Sequence, residues 1–215
     1  SNCNIHAGDD AIAIISSSGL TASNCVLQSR SSGIRIGYNV WNQNNSGNLV
    51  FNNITIDDSN RGIGIFQRQK GDMENIIFSN ININTRLHSG QWWGHGEPIH
   101  ISSVAGLGSK ETGAIKHVHF SNIIASSETG IVLYATAKDL IQDISFDNIS
   151  LTIKPGRLAE SYGGNFDLRP TNDISFGIFE HSIPAVYANY VSNLSIRNMN
   201  VLWAKGLASY FTHAI

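Results

Sequence analysis

The chain has 215 residues, 41% of them hydrophobic, which supports one sizeable core rather than two independent ones. Its formal net charge of -2 gives no field that would draw it to nucleic acid or an acidic membrane surface, and no apolar run approaches the roughly 18 residues of a membrane-spanning helix. Only 14% of the residues are charged, Gly contributes 20, and Asn and Ser are abundant; these small residues compete with helical backbone bonding and favour corners, so strands and turns are expected.

The chain opens on Ser1-Asn2-Cys3, in the middle of a motif and without an initiator Met, so it is expected to be a fragment or a processed piece. Cys3 and Cys25 lie 22 residues apart and each follows an Asn at the same point of a recurring pattern. They are expected to be stacked neighbours, with a disulfide and a pair of apolar thiols both open. Between them, Gly8-Asp9-Asp10-Ala11-Ile12-Ala13-Ile14 sets two adjacent carboxylates just before an apolar strand. In a regular strand neighbouring side chains point to opposite faces, so the two can share a site only at a turn entering the strand. Two carboxylates held close resist joint ionisation, which makes one of them a candidate acid; a solvated turn or a calcium site are the alternatives.

Further along, a pattern of Phe-x-Asn-Ile recurs at Phe51-Asn52-Asn53-Ile54, Phe78-Ser79-Asn80-Ile81, Phe120-Ser121-Asn122-Ile123 and Phe146-Asp147-Asn148-Ile149. Weaker copies stand at Ser23-Asn24-Cys25-Val26 and Ile196-Arg197-Asn198-Met199. The Asn positions are separated by 29, 27, 42, 26 and 50 residues, so the short intervals define one coil and the long ones carry insertions. After these come strands in which Ile or Leu alternates with another residue type: Gly33-Ile34-Arg35-Ile36, Gly62-Ile63-Gly64-Ile65, Pro98-Ile99-His100-Ile101 and Gly130-Ile131-Val132-Leu133. Stacked in register, such coils bury the Ile columns and line the Asn side chains into a ladder. The expected fold is an all-β, single-stranded right-handed parallel β-helix, one domain over residues 1–215. Asn53-Ile54-Thr55, Asn148-Ile149-Ser150 and Asn193-Leu194-Ser195 match a glycosylation pattern, and the first two are read as ladder positions.

Alternation nominates Arg35 and His100 for the open face that follows Asp10, with Arg61 and Arg68 flanking the strand between them. The insertion before Pro98 carries Arg86, His88, Trp92, Trp93, His95 and Glu97. Paired indoles beside polar groups suit sugar rings, whose CH faces stack on the ring while the hydroxyls find polar partners. The spacing of His88, His95, Glu97 and His100 matches no strong zinc pattern, so no metal and no cofactor are expected. The segment from Lys154 to Ser182, rich in Gly, Pro and mixed charge, is expected to form a loop at the rim of the groove.

Gly8-Asp9-Asp10 followed by x-Ile-Ala-Ile resembles the aspartate-pair motif of the polygalacturonase-like (pectinase) glycoside hydrolases. Trp92-Trp93-Gly94-His95-Gly96-Glu97-Pro98-Ile99 is similar to their Gly-x-Pro-Ile coil, and Phe176-Gly177-Ile178-Phe179 through Ile183-Pro184-Ala185-Val186-Tyr187 looks like a late segment of the bacterial members. The resemblance implies the C-terminal coils of such an enzyme, with Asp9 as general acid and Asp10 as a base partner, and a third aspartate placed before Ser1. Those groups would cleave a glycosidic bond with inversion. Two motifs depart from the family. Ser31-Ser32-Gly33 stands where a Gly-His-Gly is usual, and Gly64-Ile65-Phe66 replaces the Arg-Ile-Lys that holds a substrate carboxylate. A uronate would need another cation, for which Arg35 is the substitute.

The expected function is therefore hydrolysis of pectin-related or other acidic polysaccharide, the alternative being a non-catalytic carbohydrate-binding or structural β-helix. The candidate substrate contacts are Arg35, Arg61, Arg68, Trp93, His95, Glu97 and His100. A monomer acting outside the cytoplasm, secreted or periplasmic, completes the expectation.

Overall fold

In the computed structural model, residues 1–38, 45–90, 92–173 and 177–215 are described. Phe176, part of the late motif, lies outside them. The chain alternates between long and short strands. In order these are β1 (Asn4–Ala7), β2 (Ile12–Ile14), β3 (Ser18–Ser29), β4 (Ser32–Gly37), β5 (Ser46–Ser59), β6 (Arg61–Gln67), β7 (Met73–Thr85) and β8 (Ile99–Ser103). There follow β9 (Ile115–Ser127), β10 (Ile131–Ala135), β11 (Ile141–Ile153), the one-turn helix α1 (Ala159–Tyr162), β12 (Asn165–Asp167), β13 (Ile178–Glu180), β14 (Val186–Asn189) and β15 (Val191–Trp203).

The long strands form one parallel sheet in the order β1-β3-β5-β7-β9-β11-β15, and the short ones a second in the order β2-β4-β6-β8-β10-β14. The all-β expectation holds: within these two sheets each strand pairs in parallel with the equivalent strand of the next repeat, while β12 and β13 form a separate antiparallel pair. Ile12, Ile34, Ile63, Ile99 and Ile131 stand in one column, and Ile14, Ile36, Ile65, Ile101 and Leu133 in the next. Both columns face a single core shared with the long sheet. Across that core Phe51, Phe78, Phe120 and Phe146 stack nearly parallel at 4.8–4.9 Å, the spacing that neighbouring strands impose.

From β3 onward each long strand bends where an Asn enters the left-handed region. Asn24, Asn53, Asn80, Asn122, Asn148 and Asn198 all have φ of 50–58°, which Asn tolerates better than other residues bearing a Cβ. Their side chains form the expected ladder, with Asn24 donating to Asn2, Asn53 to Asn24, Asn122 to Asn80 and Asn148 to Asn122. Two rungs deviate: Asn80 donates to Asn52 and Asn198 to Asp147. A second left-handed column, five residues earlier, was not read from the repeat: Asn48, Asn75 and Asn193 alternate in it with Gly19, His117 and Asp143, so no one residue type marks it throughout.

Cys3 and Cys25 are stacked neighbours, the Val26 N–H donating to the Cys3 carbonyl at 2.9 Å, and both thiols are free. No helix among the described residues is long and apolar enough to cross a membrane.

Candidate active site

Asp9 and Asp10 lie in the turn before β2, outside the strand pairing. Asp9 is exposed, and its Oδ1 accepts the Asp10 N–H at 2.9 Å. The Ser29 hydroxyl holds the turn by donating to the Asp9 carbonyl at 2.6 Å. Asp10 is more deeply set. Its Oδ1 accepts the Ser31 hydroxyl at 2.9 Å and the Ser32 N–H at 3.1 Å, while its Oδ2 is ion-paired to Arg35 Nε. Arg35 also donates to the Gly37 carbonyl at 2.5 Å, so its guanidinium is fixed from two sides.

Register explains the grouping. Two residues back from the Ile12–Ile34 pair, Asp10 is level with Ser32, which pairs with Arg61; two back from Ile63–Ile99, Arg61 is level with Glu97. Asp10, Ser32, Arg61 and Glu97 thus form one column crossing successive repeats. Three residues further on runs the outward column Ala13, Arg35, Gly64, His100 and Val132. Gly64 leaves a gap there that the Phe66 ring fills, with the Arg61 and Arg68 guanidiniums 4.7 Å and 5.2 Å from its centroid.

A cavity of about 210 Å³ opens over this surface, lined by Asp9, Asp10, Ser31, Ser32, Arg35, Tyr38, Arg61, Phe66, Trp93, Arg169 and Pro170. Tyr38 and Trp93 meet edge to face at 5.4 Å and make its aromatic side. Arg169 is clamped by Asp167, with Nε donating to Oδ1 at 2.9 Å and Nη2 to Oδ2 at 2.8 Å.

The structure brings together Asp9, Asp10, Arg35, Arg61 and Trp93 from the sequence candidates, and withdraws the others, and Arg61 with them, from solvent. His100 was expected on an open face and is fully buried. The reason is a cover that hydropathy does not reveal: residues 93–97 and 167–170 fold over β6 and β8. Gly94 N–H donates to Asp167 at 2.6 Å, and the Asn60 amide donates to the Trp93 and Gly94 carbonyls. Arg68 is buried too, its guanidinium donating to the carbonyls of Gln67, Ser102, Leu168 and Pro170 and to the Ser102 hydroxyl. Those bonds fasten the cover, so Arg68 has a structural role in place of the expected substrate contact. His95 and Glu97 are likewise buried, Glu97 accepting the His95 N–H at 2.7 Å.

Beneath the cover, Glu97 lies 3.5 Å from Arg61 and 3.5 Å from His100 Nδ1, and neither ring nitrogen of His100 makes a hydrogen bond among the described residues. Burial alone would raise the Glu97 carboxyl, but Arg61 and the two histidines outweigh it and hold the group well below the usual carboxylate range. Burial pushes His100 down to about 4, against the pull of Glu97 and with help from Arg61 and Arg68. At neutral pH this is an ion pair beside an uncharged imidazole. Burial and neighbouring Arg61 lower Arg68 to about 9, which leaves it protonated. No group of three His, Cys, Asp or Glu residues gathers into a metal site among the described residues.

Sequence reasoning missed Tyr38 and Pro170, and it placed Arg169 only in the expected rim loop, not among the site residues. The segment from Lys154 to Ser182 does supply part of the rim, through Arg169 and Pro170. Only the Asp167-Leu168-Arg169 spacing hinted that this loop carries its own ion pair. No family model matches the chain, and no curated protein matches it.

Proposed function

We propose that the chain forms a right-handed parallel β-helix whose open side hydrolyses a glycosidic bond in an acidic, pectin-related polysaccharide. Alternation between two parallel sheets with one strand of each per repeat supports the solenoid, and parallel crossovers are almost always right-handed. One observation carries the activity: adjacent carboxylates at Asp9 and Asp10 share a cavity with the guanidiniums of Arg35 and Arg169 and an aromatic wall, Arg61 lying buried at its floor. In this reading Asp9, the exposed member, donates the proton to the leaving oxygen. Asp10, which accepts three donors in a geometry suited to the carboxylate, is the base partner that orients water. Arg35 and Arg169 face the cavity as the cations for a sugar carboxylate, and Trp93 and Tyr38 take the apolar face of a ring.

A second reading, a carbohydrate-binding solenoid without turnover, is favoured by one feature: both oxygens of Asp10 are already engaged, by Arg35, Ser31 and Ser32. The two separate when the protein is incubated with polygalacturonate, rhamnogalacturonan and neutral glycans while new reducing ends are counted. Release from a uronate polymer, reduced about 10²–10⁴-fold by Asp9→Asn, is the expected result. Binding without release, unchanged by Asp9→Asn, would instead identify a binder.

A further inference from the structure

Beside the carboxylate cavity lies a second one of about 370 Å³, bounded by Trp92, Trp93, Tyr162 and Arg169 among others. The two share Trp93 and Arg169 as common walls. We propose that this second cavity is a subsite for the neighbouring sugar of the same polymer chain, with Trp92 as its stacking platform; the inference rests on the carbohydrate reading of the first cavity.

Size is the first argument. Pockets for small ligands run from about 300 Å³ upward, so the carboxylate cavity at about 210 Å³ holds no more than part of a substrate, and a polymer must continue beyond it. The adjoining cavity is the one that continues past shared walls. Chemistry is the second argument, because two indoles, a phenol and a guanidinium suit the alternation of apolar CH faces and hydroxyls on a sugar ring.

Rigidity is the third argument. Trp93 is 37% exposed, yet its backbone carbonyl accepts the Asn60 amide at 3.0 Å and its ring is braced edge to face by Tyr38. Arg169 is held by two bonds to Asp167, whose other bond anchors Gly94 next to Trp93. Both shared walls are thus fixed before a ligand arrives, so little ordering cost is left for binding.

The test uses titration calorimetry on the intact protein with galacturonic acid, its dimer and its tetramer, and with galactose and its tetramer as uncharged counterparts. In at least one series the tetramer should bind about tenfold or more tighter than the monomer, a difference of about 1.4 kcal/mol. Trp92→Ala should erase most of that gain while leaving monomer affinity unchanged, and Trp92→Phe should restore it. The subsite is refuted by a length gain that survives Trp92→Ala, by equal weakening of monomer and tetramer, or by no length gain or no binding in either series. Length-dependent binding through Trp92 with no new reducing ends would end the hydrolase reading and keep the subsite. Hydrolysis without a Trp92 length effect would do the reverse.

Discussion

Two acid–arginine pairs occupy equivalent places in this molecule and have opposite surroundings. Asp10 with Arg35 borders the cavity, their side chains 10% and 16% exposed, and serine donors complete the carboxylate. Glu97 with Arg61 sits 2% exposed on each side under residues 93–97 and 167–170. The acids stand on the same register column, so the sheet does not decide which pair meets solvent. What lies over the sheet decides it. Near Asp10, the turn is short and the surface stays open to ligand; over Glu97, Asp167 and Arg68 pin a cover in place. The open pair is available for chemistry, whereas the sealed pair holds the cover down and has value only while it remains intact.

The largest expected effect tests that division directly. Removing one member of a buried ion pair strands the other without water, a cost of about 3–5 kcal/mol. Glu97→Ala should therefore lower the urea-unfolding free energy by that amount, since among the described residues Arg61 would keep only the long 3.4 Å bond to the Asp167 carbonyl. Asp10→Asn should cost only about 1 kcal/mol, because the amide oxygen still accepts and solvent reaches the site, while hydrolysis drops about 10²-fold or more. Equal stability losses from the two substitutions would erase the distinction between the pairs.

A pH series sharpens the same comparison. The unfolded chain protonates His100 near 6.5, the folded chain only near 4, so between these values the unfolded state binds the extra proton. The stability this group contributes is complete above pH 6.5 and is lost as pH falls toward 4. Glu97 acts in the same direction lower down, since its folded carboxyl titrates below its ordinary value of 4.5. Thermal melts should therefore decline from pH 6.5 downward, and His100→Asn should flatten the upper part of that decline. A decline unchanged by His100→Asn would place the responsible group elsewhere.

How much of this was readable beforehand follows from what carries the signal. The strands, the Ile columns and the Asn ladder were legible because each recurs at a period, and the Phe column lies on the same pattern. Asp9 and Asp10 stood out because adjacent carboxylates before an apolar strand are a local feature. The burial of His100, Glu97 and Arg68 was not legible, since alternation along β8 says only that His100 points away from the core. It cannot say that Asp167, 67 residues later in the chain, returns to cover it. Arg35 was nominated as a cation for a substrate carboxylate, and its pairing with Asp10 needed the offset between β2 and β4, which spacing alone left undetermined.

The smallest expected effect concerns a corner of the long sheet, in the Asn ladder, away from both pairs. Asn122 has φ of 55°, accepts from Asn148 at 2.8 Å and donates to Asn80 at 3.0 Å. Its side chain is exposed, so the bonds themselves are weak in net terms, and the backbone conformation is the larger demand. Asn122→Ala should cost about 1–2 kcal/mol, because a Cβ without a polar partner is strained in the left-handed region. Asn122→Gly removes that strain and should cost less than about 1 kcal/mol, the remainder being lost bonds and chain entropy. Because Asn122 shares no side-chain partner with either acid–arginine pair among the described residues, either variant should leave the stability gap between Glu97→Ala and Asp10→Asn unchanged in a double-mutant cycle. A gap that narrows would mean that the ladder, and not the cover, is what keeps the sealed pair dry.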